Sequence, residues 1–226
     1  MFIKICANTN LEDARLAAEL GVDAVGFVFA ASKRRVTPEQ VAEITRELPA
    51  ELAKVGVFTS TDAAEIVRTA RVAGLTAVQL HSRFDPKLVD AIDAGSGSVL
   101  HVVQVVEVPL GMDLERLRAR LTAVLSHPYV LVALLDASHG GLSGGTGRSF
   151  DWERTAAVVR EVQEATGGWV IVAGGLTAEN VGDAVAAFAP WGVDVASGVE
   201  ASAGKKDPER LRAFVAAARA AGSGRS

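Results

Sequence analysis

From end to end, the chain alternates short β-branched apolar runs with longer stretches of helical periodicity. The apolar runs are Ile3–Cys6, Ala24–Phe29, Lys54–Phe58, Ala77–Leu80, Leu100–Val106, Val130–Leu135, Trp169–Val172 and Val193–Val195. Helical patterns follow them near residues 11–20, 38–48, 62–72, 85–93, 113–125, 151–166, 179–187 and 207–220. Strand-then-helix repetition points to a parallel sheet, with each helix serving as the crossover to the next strand. Eight units in 226 residues is about 28 residues per unit, near the lower limit for a closed (β/α)8 barrel. An open doubly wound sheet is the competing architecture, but it would carry its glycine-rich turn after the first strand. Here the first strand runs into Cys6-Ala7-Asn8. The expectation is one (β/α)8 barrel domain over residues 1–221, with 222–226 a disordered tail.

Local signals support the helices. Asn10 precedes Leu11-Glu12-Asp13, and Thr37 precedes Pro38-Glu39-Gln40, both with N-cap chemistry. Gly21 and Gly74 stand where helices should stop. A chain that is 49% hydrophobic but only 5% aromatic suits a barrel filled by Val, Ile, Leu and Ala. The net charge of −4, with no basic stripe, argues against a nucleic-acid partner. One cysteine rules out an intramolecular disulfide framework. The N-terminus lacks the pattern of a signal peptide, and no apolar run approaches the roughly 20 residues of a membrane helix. A soluble cytoplasmic protein with no membrane partner is expected; monomer and homodimer are equally open.

In such a barrel, function sits at the C-terminal ends of the strands. Two turns of small residues fall there late in the chain, Gly174-Gly175 and Ala196-Ser197-Gly198. Each is expected to lead into a helix, through Thr177–Asn180 and Asp207–Glu209 respectively. Small residues let backbone N–H groups crowd around an anion, and helix N-termini add partial positive charge. A small phosphorylated molecule is the ligand this implies.

The same rule selects Cys6 and Asp136. Cys6 reads either as a buried small hydrophobe or, facing a substrate cavity, as a thiolate base. Asp136 follows six apolar residues and reads either as a cap for the next loop or as a general acid whose pKa is raised by burial. Arg34, after Ser32-Lys33, reads as a solvated basic turn or as a bidentate clamp on a substrate carboxylate. His81, ending strand 4, is as readily structural as functional. Gly144-Gly145-Thr146-Gly147-Arg148 lacks the Lys-Ser/Thr ending of a Walker loop; it reads as a mobile lid within 137–149 or as backbone donors to phosphate. The histidines have no metal-ligand spacing, so no metal is expected.

Taken in order, these pieces resemble the phosphoribosylanthranilate isomerase family of tryptophan biosynthesis. The likeness covers nearly the whole chain. It runs through Lys4-Ile5-Cys6, Gly26-Phe27-Val28-Phe29, Ser32-Lys33-Arg34, Val78-Gln79-Leu80-His81, Leu134-Leu135-Asp136, Gly174-Gly175-Leu176 and Asp194-Val195-Ala196-Ser197-Gly198. Ala7 departs from it, standing where the family usually has Gly. The resemblance implies an Amadori rearrangement of N-(5-phosphoribosyl)anthranilate, with Asp136 as general acid, Cys6 as general base and Arg34 on the anthranilate carboxylate. It places phosphate at Gly175 and Ser197-Gly198, and implies no cofactor. A paralogue acting on another amino-sugar phosphate and a non-catalytic sugar-phosphate-binding barrel are the alternatives.

Overall fold

The computed structural model describes residues 1–109, 111–137 and 152–223. Eight parallel strands close into a barrel in sequence order: β1 (Phe2–Ile5), β2 (Ala24–Val28), β3 (Ala53–Phe58), β4 (Ala77–Leu80), β5 (His101–Glu107), β6 (Val130–Asp136), β7 (Trp169–Ala173) and β8 (Gly192–Val195). Closure is through β1 and β8, which pair from Phe2 with Gly192 to Ile5 with Val195. The covering helices are α1 (Leu11–Glu19), α2 (Pro38–Thr45), α3 (Ala63–Ala73), α4 (Pro86–Ser96), α5 (Leu114–Leu125), α6 (Trp152–Thr166), α7 (Val181–Phe188) and α8 (Pro208–Ser223).

The helix boundaries follow from identifiable chemistry. The Asn10 side chain accepts from the Asp13 N–H at 2.9 Å. Thr37 and Gln40 form a reciprocal capping box ahead of Pro38. Gly74 ends α3 at φ 65°, a left-handed conformation that costs glycine nothing. At the other end of the chain α8 continues through Gly222 to Ser223, so these two residues are helical rather than tail. The glycine fits because a Cβ there would stand 2.8 Å from Met1 Cβ. Residues 224–226 lie outside the described residues.

Side-chain alternation sorts each strand into two faces. Ile3 and Ile5, Val78 and Leu80, Val170 and Val172, and Val193 and Val195 pack outward into the main core shared with the helices. Val103, Val105, Val132, Leu134, Ile171 and Ala173 form a separate cluster on the inward face. The same period of two sends Lys4, Cys6, Gln79, Asp136 and Asp194 inward with them. Polar groups near the C-terminal mouth therefore meet inside the barrel, although they are far apart in sequence.

Between β8 and α8 the chain does more than expected. Ser197–Val199 forms one 3-10 turn, followed by an antiparallel hairpin of β9 (Glu200–Ser202) and β10 (Lys205–Lys206). No helix described is long and apolar enough to cross a membrane.

Candidate active site

A cavity of about 440 Å³ opens at the C-terminal mouth of the barrel. Its walls bring together Cys6, Arg34, His81, Asp136, Gly174, Gly175, Ser197 and Gly198. Every candidate site residue that the structure describes thus faces one space. Gly144 and Gly145 lie outside the described residues.

The small-residue turns follow β7 and β8, adjacent strands on one side of the mouth. Gly174 and Gly175 both take positive φ, 97° and 68°, a backbone that side-chain-bearing residues rarely adopt. Among the described residues, neither N–H donates to a protein acceptor. Gly198 is required for a different reason: a Cβ there would sit 1.8 Å from the carbonyl oxygen of Leu176. The two turns are packed directly against each other, and only a missing side chain lets them approach.

The helix expected from residue 179 begins at Val181. Asn180 occupies the N-cap position without capping, because its side chain is used elsewhere. Its Oδ1 accepts from Thr177 N–H at 2.8 Å, and its Nδ2 donates to Gly175 O at 3.0 Å, which staples the glycine turn into shape. Nor does the β8 turn lead straight into α8: the 3-10 turn at Ser197 and the β9–β10 hairpin intervene.

Cys6 is 6% exposed and lies just past the end of β1, its N–H donating to Val195 O at 2.8 Å. Ala7 follows at φ 62° with 2% exposure. An L-residue held there costs about 1–2 kcal/mol, so the departure at Ala7 carries backbone strain beside the base candidate. Asp136 ends β6, half-buried, three strands around the barrel from β1. The strands between them are β7 and β8, which carry the glycine turns.

Arg34 does not present the free fork expected of it. Its Nε donates to Glu200 Oε1 at 2.8 Å and its Nη2 to Glu200 Oε2 at 2.6 Å. Glu200 is 6% exposed, so its carboxylate requires a counter-charge and takes the guanidinium edge that fits it best. Nη1 remains without a protein acceptor among the described residues, so its N–H groups are available to a ligand. Burial pushes the Glu200 carboxyl up. Arg34, Lys206 and the Gly204 N–H outweigh that and hold it below the usual carboxylate range. At the rim, His81 Nε2 lies 3.2 Å from Glu107 Oε1.

Sequence reasoning gave no role to the buried charges behind this surface. Lys4, 1% exposed, pairs with Asp194 at 2.9 Å inside the barrel. Lys206, also 1% exposed, donates to Cys6 O at 2.6 Å and Ala196 O at 3.2 Å and stands 3.5 Å from Glu200. The hairpin thereby ties the ends of β1 and β8 to the carboxylate that holds Arg34. Gln79 also faces the cavity, and its buried Oε1 has no partner among the described residues. Gln104 turns away and donates to Leu80 O and Ser82 O at 3.2 and 2.8 Å.

The family model for N-(5'-phosphoribosyl)anthranilate isomerase matches residues 3–217. The chain belongs to this isomerase family. The isomerase of Citrifermentans bemidjiense is 42% identical over 219 residues, covering 96% of each chain. That of Pelobacter propionicus is 40% identical over 215 residues, covering 94% of this chain and 93% of its own. Among solved structures, the Thermotoga maritima isomerase superposes with a TM-score of 0.81 at 36% identity, covering 97% and 99% of the two chains. A phosphoribosylanthranilate isomerase in complex with reduced 1-(o-carboxyphenylamino)-1-deoxyribulose 5-phosphate gives 0.78 at 34% identity, with the same coverage. Membership bears out the resemblance read from the motifs and gives no support to the two alternatives.

Proposed function

We propose that Asp136 and Cys6 are the acid and base with which this phosphoribosylanthranilate isomerase converts N-(5'-phosphoribosyl)anthranilate into 1-(2-carboxyphenylamino)-1-deoxyribulose 5-phosphate. The observation that carries the reading is the shared cavity. A carboxyl and a thiol face it from β6 and β1, and the glycine turns of β7 and β8 lie between them.

The substrate is an anion at both ends. Its phosphate sits on the Gly174-Gly175 and Ser197-Gly198 turns, where backbone N–H groups and the short 3-10 turn offer partial positive charge. Its carboxylate meets the free edge of Arg34. His81 forms part of the wall at the rim.

Asp136 donates a proton to the furanose ring oxygen. The C1–O bond breaks, and the anilino nitrogen lone pair forms the C1=N iminium. The Cys6 thiolate then removes the proton from C2. The C–H electron pair moves into the C1–C2 bond and the C=N pair returns to nitrogen, giving a neutral enol-amine and a thiol. Loss of the enol O–H proton and protonation of C1 yield the ketone. One proton passes from thiol to carboxylate to reset the site. The iminium is the electron sink, so these steps call on no cofactor.

The test is turnover of phosphoribosylanthranilate by the purified chain, read as loss of its fluorescence. Steady loss with formation of the deoxyribulose phosphate is expected. Tight binding of the reduced product analogue without turnover would mark a non-catalytic barrel and refute the reading.

A further inference from the structure

The barrel interior holds a buried cation beside the thiol. Lys4 and Cys6 project inward from β1, two residues apart, and face Gly26 on β2. A Cβ built on Gly26 would stand 2.8 Å from Cys6 Sγ and 3.2 Å from Lys4 Nζ. Sulfur and ammonium therefore crowd a single hollow that exists because residue 26 has no side chain. Lys4 is held there by Asp194 Oδ1 at 2.9 Å, which takes one of its three donors.

We propose that Lys4 is a positioning residue for the base: its ammonium, anchored by Asp194, supplies the counter-charge of the Cys6 thiolate that takes the C2 proton. This rests on the reading of Cys6 as the base. The S–H bond forms as the C2–H bond breaks, and Lys4 keeps its own proton throughout.

Among the described residues, charges from four elements act on the sulfur. Burial, the largest influence, keeps the thiol above its ordinary value, and Lys4 is the foremost group opposing it. Asp194 on β8 also pushes the thiol up, while Lys206 on β10 pulls it down. Arg34, in the loop after β2, also interacts with the sulfur's charge. Lys206 cannot replace Lys4, because its Nζ is committed to the carbonyls of Cys6 and Ala196 and to Glu200. Burial pulls Lys4 itself down, but Asp194 and Cys6 outweigh it, so the ammonium stays charged where the thiolate needs it.

Cys6 is the single cysteine of the chain, so thiolate ultraviolet absorbance, blanked against Cys6→Ser, titrates one group. The experiment compares wild type, Lys4→Met, Asp194→Asn and Lys4→Met/Asp194→Asn by that titration and by the pH profile of kcat/KM. In Lys4→Met the thiol midpoint is expected to rise by at least about one unit. The acid limb of kcat/KM should move with it, so activity falls roughly tenfold at neutral pH and returns as pH is raised. The double variant removes a repelling carboxylate as well, so its midpoint rises by less. Its buried pair is neutral, which makes it the fallback if the single variant does not fold. A folded Lys4→Met variant with an unchanged thiol midpoint, or a folded double variant whose midpoint is no higher than that of Asp194→Asn alone, would overturn the proposal. A thiol midpoint that moves while the kcat/KM profile stays put would instead overturn Cys6 as the base, leaving the Lys4 contact intact.

Discussion

Replacing Gly198 with alanine should separate the two turns proposed to hold phosphate. The methyl carbon would start 1.8 Å from Leu176 O, 3.0 Å from Leu176 C and 3.3 Å from Thr177 Cγ2. All three are atoms of the facing turn, and the nearest is backbone, so no rotamer relieves the overlap. Contacts of this kind below 3.0 Å are essentially never tolerated, so the turns must part by roughly 1.2 Å, more than a hydrogen bond survives. Overpacking of that size costs about 1–3 kcal/mol of stability. Losing one or two charge-assisted bonds to phosphate, at about 1.5–3 kcal/mol each, raises KM by at least about tenfold. A misplacement near 1 Å also lowers kcat, by up to about 100-fold. Gly182, on α7 with nothing within 4 Å of a built Cβ, is the internal control; alanine there should be neutral or stabilising by up to about 1 kcal/mol. Steady-state kinetics, with inorganic phosphate as competitive inhibitor and urea denaturation alongside, decide the matter. A Gly198→Ala enzyme with KM and phosphate inhibition within threefold of wild type would refute the assignment of the phosphate to these turns.

Arg34→Ala should raise KM for phosphoribosylanthranilate by at least about tenfold, since a charged hydrogen-bond partner of the carboxylate is lost, and leave competitive inhibition by inorganic phosphate nearly unchanged; equal weakening of both would contradict separate anion sites. Glu200→Gln probes the ion-pair network by pH. The Glu200 carboxyl is held below its ordinary value in the folded chain, so its contribution to stability is complete above the unfolded pKa of about 4.3 and is lost as pH falls through the lower folded value. The gap in urea midpoint between wild type and Glu200→Gln should therefore shrink from neutral pH into strong acid, and a constant gap would show that the carboxylate is not what the network stabilises.

Much of the barrel was legible because it rests on local chemistry. The strand positions follow from short apolar runs, and the helix ends at Asn10, Thr37 and Gly74 follow from capping residues whose hydrogen bonds and φ values the structure displays. Cys6, Asp136 and the glycine turns were legible through position, at strand ends in an architecture that works from strand ends. The buried charges were not. Within Ile3-Lys4-Ile5-Cys6 a lysine reads as the solvent side of an alternating strand. Only barrel closure turns that side inward, and the partner that neutralises Lys4 lies 190 residues away. Glu200 and Lys206 were hidden for a related reason. Their hairpin is three residues against two, too short to leave a periodic trace, so the run from Ser197 to Asp207 looked like plain connection. Arg34 was selected correctly for the cavity, but its sequence neighbourhood holds no hint of the carboxylate that claims its fork.

In the proposed rearrangement a thiol and a carboxyl divide the proton transfers between them. Single-turnover kinetics of Cys6→Ala and Asp136→Asn on phosphoribosylanthranilate, beside wild type at neutral pH, address this directly. Each substitution should slow the chemical step by at least about 100-fold, while the reduced product analogue still binds to the folded protein. Near-normal turnover in either variant would contradict the role given to that residue.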